Sequence, residues 1–144
     1  LPENPSTGYS WNLSLPAGIA LSRDEYIPPQ TTGQVVGREG IRSFTLMAAK
    51  TGTWNITAEY RRPWVPSGTV TRVDLEGGFF GILGDDGKKY DPRNLDTRYQ
   101  VNGLRVAFEA TAATGTVSTR MWGTPVTLDS IETIPEFSLG VTVR

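Results

Sequence analysis

The chain has 144 residues, with 14 Lys+Arg against 15 Asp+Glu and a formal net charge of -1. That balance excludes the basic surface on which nucleic-acid and anionic-membrane binding depend, and no run approaches the roughly 20 apolar residues of a membrane helix. With Cys 0 and His 0, disulfides, thiol nucleophiles, the Ser-His-Asp triad and ordinary zinc sites are all excluded.

Gly 16 and Pro 10 punctuate short runs rich in Thr, Val and aromatics, the texture of an all-β chain. The chain opens Leu1-Pro2-Glu3 without Met and so reads as a processed or trimmed product. Next comes Asn4-Pro5-Ser6-Thr7-Gly8-Tyr9. Pro5 fixes φ there, Gly8 has a backbone freedom other residues lack, and Asn, Ser and Thr can bond their own backbone, so the loop is stiff. It leads into an alternating strand with Tyr9, Trp11, Leu13 and Leu15 on one face. Gly37-Arg38-Glu39-Gly40 is a tight connection before a second alternation through Phe44, Leu46 and Ala48. Trp54, Ile56, Ala58 and Tyr60 form a third, and Tyr60-Arg61-Arg62-Pro63-Trp64 follows at its exit. A Trp beside a Pro at a strand end is expected to stand out on a loop.

The texture changes beyond a seam at Trp64-Val65-Pro66-Ser67-Gly68. Val70, Val73 and Leu75 lead to Gly77-Gly78-Phe79-Phe80-Gly81-Ile82-Leu83, either a packed hairpin or an exposed aromatic patch. Asp85-Asp86-Gly87 predicts a hairpin turn, because Asp-Gly readily takes positive φ. Further strands are predicted at Leu104–Phe108, Val117–Met121 and Val126–Ile131, and Asp96–Val101 holds a helical turn or two at most. About five strands in some 65 residues suit a small closed barrel of OB type. The oxygen-rich Asp85–Gly87 and Asp91–Asp96 stretches lack the spacing and closing Glu of an EF-hand and read as turn chemistry, so no metal is expected. Phe137, Leu139, Val141 and Val143 alternate at the end of the chain. A period of two places each of these apolar sets on one buried face of a sheet. No pairing among the carboxylates singles out an acid and a base. The expectation is a protein without catalytic residues or cofactor.

Taken singly, each of the three polar loops is an ordinary turn. In order they read Asn4-Pro5-x-Thr7-Gly8-Tyr9-x-Trp11, then Gly37-x-x-Gly40 with Phe44 four residues on, then Arg62-Pro63-Trp64. That series resembles the chagasin family, inhibitors of papain-like cysteine peptidases. The resemblance implies an immunoglobulin-like β-sandwich whose three loops sit side by side at one end and plug the peptidase cleft. The inhibitory residues it implies are Asn4, Pro5, Ser6, Thr7, Gly8 and Tyr9; Gly37, Arg38, Glu39 and Gly40; and Arg62, Pro63 and Trp64. The Thr7 loop would lie at the catalytic Cys of the target, with the other two gripping the enzyme on either side. The resemblance also implies a secreted or extracytoplasmic protein.

Three features depart from the family pattern. Glu39 stands where the family's second loop usually has Gly. Only Leu1-Pro2-Glu3 precede the first motif, where the family has roughly two strands. A long stretch separates Trp64 from Phe137–Val143, which resembles the family's closing strand. The expected organisation is a chagasin-like sandwich of residues 1–66 with 134–144, and an OB-like β-barrel domain of residues 67–133 inserted after Trp64. A plain tandem, with Phe137–Val143 completing the barrel, is the other arrangement. A sandwich without its first strands exposes ladder groups and apolar faces, which favours strand exchange or dimerisation. The alternative function is a non-inhibitory secreted or cell-surface binding module.

Overall fold

The structure is a computed structural model that describes residues 1–30, 38–113 and 121–144. Gly37 and the strand expected at Val117–Met121, apart from Met121 itself, lie outside the described residues. In chain order the strands are β1 (Pro2–Glu3), β2 (Ser10–Ser14), β3 (Ile19–Ile27), β4 (Gly40–Ala48), β5 (Gly52–Arg61) and β6 (Ser67–Val73). They continue with β7 (Phe79–Gly84), β8 (Lys89–Pro92), β9 (Arg105–Ala112), β10 (Thr124–Thr133) and β11 (Glu136–Val143). Two short 3-10 turns, Pro5–Thr7 and Thr97–Tyr99, are the helical elements among the described residues. No helix there is long and apolar enough to cross a membrane. The chain divides into two compact units, Leu1–Pro63 with Pro135–Arg144, and Trp64–Ile134.

The first unit is an immunoglobulin-like sandwich of two three-stranded antiparallel sheets, β1-β4-β3 and β11-β5-β2. Its centre is β5, where Ile56 and Ala58 are 4% and 1% exposed. The Trp54 indole lies against Gly18 and donates from Nε1 to the Ala17 carbonyl at 3.1 Å. The Trp11 indole donates to the Pro2 carbonyl at 2.7 Å, which fastens β2 to β1 and so one sheet to the other. The sequence gives no clear signal for β3, and its pairing with β4 explains why. Ile19 and Leu21 oppose Ala48 and Leu46, but the register shifts between Leu21 and Arg23, after which Asp24 and Tyr26 oppose Phe44 and Arg42. A bulge inserts one residue and moves the inward positions from odd to even, so no period of two survives along the strand.

One expectation is corrected here. Phe137, Leu139, Val141 and Val143 oppose Ala58, Ile56, Trp54 and Gly52, on the face that carries the buried β5 residues. They are not all buried: Phe137 is 37% and Leu139 48% exposed. Among the described residues β11 ends the β11-β5-β2 order, and no further strand there covers its outer margin.

The second unit is a closed barrel in the order β10-β8-β7-β6-β9. β8 and β10 run parallel, and the other pairs are antiparallel. Val70, Ile82 and Val106, all 0% exposed, form its centre with Phe108 and Leu128. Phe80 packs against that core and Phe79 is buried edge-on to Trp122, so this stretch is a packed hairpin rather than an exposed patch. β8 carries no readable signal, since Lys89-Tyr90-Asp91-Pro92 is four residues long with one aromatic. At the β7–β8 turn Gly87 takes φ +82°, as a tight hairpin needs. Tyr90 donates to Asp86 at 2.6 Å across this turn. The bond holds the Asp86 carboxyl below its ordinary range and the Tyr90 hydroxyl above its own. Asp85 binds Arg105 through two contacts of 2.8 Å and accepts from Ser67 Oγ at 2.5 Å, tying the hairpin to β6 and β9. Asp96 caps the second 3-10 turn by accepting from the Arg98 N–H at 3.1 Å.

Candidate functional site

The first loop closes on itself. Asn4 caps the 3-10 turn, its side chain accepting from the Ser6 N–H at 3.2 Å and from Ser6 Oγ at 2.6 Å. Thr7 Oγ1 donates to the Asn4 carbonyl at 2.7 Å and accepts from the Tyr9 N–H at 3.2 Å. The Gly8 N–H reaches the Pro5 carbonyl at 3.1 Å, and Gly8 itself sits at φ +81°, a left-handed conformation that glycine adopts without a Cβ penalty. Pro5 occupies the start of the turn, where it loses no needed N–H. The local residues therefore build one shape, with Pro5, Ser6 and Thr7 exposed at its tip.

A buried charge anchors this loop. Glu3, 2% exposed, accepts from Arg42 Nη2 at 2.7 Å and from the Trp11 N–H at 3.3 Å. The hydrogen bond it donates to Glu3 is the main reason the Arg42 guanidinium holds its proton more tightly than usual. Arg42 also reaches Asp24 at 3.1 Å and lies over the Tyr26 ring. One residue on, the Asn4 N–H donates to the Tyr60 hydroxyl at 3.2 Å.

The other two motifs arrive at the same place. Glu3 pairs directly with Gly40 across β1 and β4, so the close of the second loop lies beside the start of the first. A Cβ on Gly40 would run into the Tyr26 hydroxyl and the Ile27 carbonyl, so glycine is required there by space alone. Arg38 and Glu39 precede it and are exposed. From the third motif, the Arg62 guanidinium sits 4.6 Å from the Tyr9 ring centre. Tyr9 stacks on Tyr60 at 5.4 Å, and Trp11 approaches the same ring at 4.9 Å. Pro63 is exposed and ends the first unit; Trp64, 68% exposed, is the first residue of the second.

The sandwich thus brings Asn4–Tyr9, Gly40 and Arg62 together, held by Glu3, Arg42 and Tyr60. Those three anchors are what the sequence reading missed. Glu3 stands in a strand too short to show periodicity, and Arg42 lies 39 residues away from it. Tyr60 was legible only as an inward-facing aromatic. Among the described residues no cluster of His, Cys, Asp and Glu could hold a metal ion. The arrangement offers a stiff, contoured surface with a cation and aromatics, which is equipment for binding.

The chagasin family peptidase inhibitor I42 model matches residues 1–76, just over half of the chain. The chain belongs to the chagasin family. Members of that family are peptidase inhibitors and not enzymes. Over 65 residues the chain is 40% identical to Amoebiasin-2 of Entamoeba histolytica, a span of 44% of this chain and 53% of that protein. Over 67 residues it is 34% identical to Amoebiasin-1 of the same organism, covering 46% of this chain and 65% of the relative. The chain therefore spans roughly half to two-thirds of the length of these curated relatives. No solved structure gives a significant match. The chagasin match runs through β6, a barrel strand, and stops short of β11, the strand that pairs with β5. Sequence continuity and sheet membership part company after Pro63.

Proposed function

We propose that this chain inhibits papain-like cysteine peptidases by presenting three neighbouring loops to the active-site cleft, with no reaction of its own. The observation that carries the reading is the meeting of the Asn4–Tyr9, Gly40 and Arg62 motifs around the Glu3–Gly40 pair and the Tyr60 hydroxyl. Docking a preformed turn loses little conformational entropy, so more of the contact energy appears as affinity. On this reading Thr7 meets the catalytic thiol of the target, with the Arg38–Gly40 and Arg62–Trp64 loops gripping the enzyme on either side. The exposed Glu39 adds a negative side chain to the second loop and favours target clefts with a cation on that side. Family membership supports the target class, and a secreted location follows the same reading. The five-stranded closed barrel supports an OB-type second domain inserted after the third loop.

Titration of active papain with the purified chain tests this reading. The expected result is loss of substrate turnover that is complete at one equivalent. Full activity in about 10 μM inhibitor, weaker than any useful affinity for such an interface, would contradict it.

A further inference from the structure

The second unit holds a cavity of about 300 Å³ between the start of β7 and the segment that follows β8, lined wholly by described residues. That segment is fastened to β10 at several points. The Arg93 N–H donates to the Val126 carbonyl at 3.0 Å. Asn94 donates to the Leu128 carbonyl at 3.0 Å and accepts from the Leu128 N–H at 2.8 Å. The Tyr99 hydroxyl donates to the Ile131 carbonyl at 3.3 Å, and Gln100 Nε2 donates to the Leu95 carbonyl at 2.9 Å. A cavity held in this way binds without first ordering its walls.

The lining is of two kinds. Phe79 and Pro92 are buried, so Phe80 and Leu95, half-buried against the barrel core, supply the apolar wall a ligand meets. The polar side chains are Arg93 and Gln100. Arg93 is exposed, and its side chain has no ion pair or hydrogen bond among the described residues. The acids nearest to it in sequence are engaged elsewhere: Asp96 accepts from the Arg98 N–H at 3.1 Å, and Asp91 is buried with a partner of its own. A second guanidinium, that of Arg72, lies against Gly78 and 5.8 Å from the Phe80 ring centre. Uncompensated positive charge beside an apolar wall favours an anion with an apolar body. Gln100 Oε1 has no partner among the described residues and can accept from a donor on that body.

We propose that this cavity binds a small carboxylate built on one ring and carrying a hydroxyl. The carboxylate accepts hydrogen bonds from the Arg93 guanidinium, the ring lies against Phe80 and Leu95, and the hydroxyl donates to Gln100 Oε1. The volume stands at the small end of ligand pockets, with room for one ring and its substituents rather than a polymer. None of the lining residues belongs to the three loops, so the site is independent of the peptidase reading.

Amide spectra of the isotope-labelled 144-residue chain during titration with 4-hydroxybenzoate test the proposal. Signals of Gly78, Phe80, Arg93 and Gln100 should shift together and saturate, with a dissociation constant of about 1 mM or below. The neutral 4-hydroxybenzamide, of the same shape, should bind at least about tenfold more weakly, and benzoate, which lacks the hydroxyl donor, at least about threefold. Arg93→Gln should weaken the acid at least about tenfold and erase its advantage over the amide, with Arg93→Lys recovering part of the loss. Since the Arg93 side chain makes no described bond, both variants should unfold as the parent does. Signals that do not saturate by about 10 mM, or shifts gathered elsewhere, would overturn the proposal. So would an amide that binds as well as the acid, or an Arg93→Gln chain that binds unchanged. Inorganic phosphate bound as tightly as 4-hydroxybenzoate would mark an adventitious anion site only and overturn it too. Benzoate as tight as its hydroxylated relative would remove Gln100 from the site and overturn the hydroxyl in the proposed class.

Discussion

Replacing Trp64 by Ala is expected to weaken inhibition of papain at least about tenfold while leaving the fold intact. Trp and Arg are the residue types most enriched at binding hot spots, and truncating a Trp there costs about 2–4 kcal/mol, or roughly 30- to 1,000-fold in affinity. In the free protein Trp64 is 68% exposed, so its loss removes little packing and stability should change by less than about 1 kcal/mol. Pro63 and Pro66 flank it at one and two residues' distance and restrict the loop, so little freedom is lost on docking. An inhibition constant unchanged by Trp64→Ala, with an unchanged unfolding curve, would remove Trp64 from the interface.

Arg42→Ala is expected to produce the largest loss of stability in the sandwich. Glu3 is 2% exposed and its 2.7 Å contact with Arg42 is its ion pair. Removing one partner of a buried pair leaves a charge without compensation, at a cost of about 3–5 kcal/mol. Water admitted beside the 24% exposed Arg42 side chain would place the result towards the lower figure. Because Glu3 immediately precedes Asn4 and pairs with Gly40, the same change should loosen the seat of two loops and weaken inhibition as well. Urea unfolding checks the first effect and papain titration the second. A change in stability below about 1 kcal/mol would mean that the pair does not hold β1 in place.

The first and third loops were legible because their residues act locally. Asn4, Pro5 and Gly8 each act within a few residues of chain, and Arg62-Pro63-Trp64 interrupts a strand by its own chemistry. β5 was legible for a similar reason, since its alternation is unbroken from Trp54 to Tyr60. What failed to show was non-local. The Glu3–Arg42 pair joins two strands through a contact that neither segment signals. β3 hides behind its bulge, which cancels the alternation at the point where it would be recognised. β8 is too short to alternate at all. At β11 the alternation gave the correct face but not its cover, because periodicity says which side chains point together and nothing about what lies opposite them. The requirement for glycine at 40 is of the same kind, arising from Tyr26 and Ile27 on a neighbouring strand.

If one rim of loops contacts the peptidase, amide spectra of the isotope-labelled chain with and without papain will record it residue by residue. Signals of Thr7, Glu39, Gly40, Arg62 and Trp64 should shift or broaden on complex formation while those of β3 and the barrel core stay in place. Unmoved loop signals, with the changes gathered on the barrel or along a sheet edge, would contradict it.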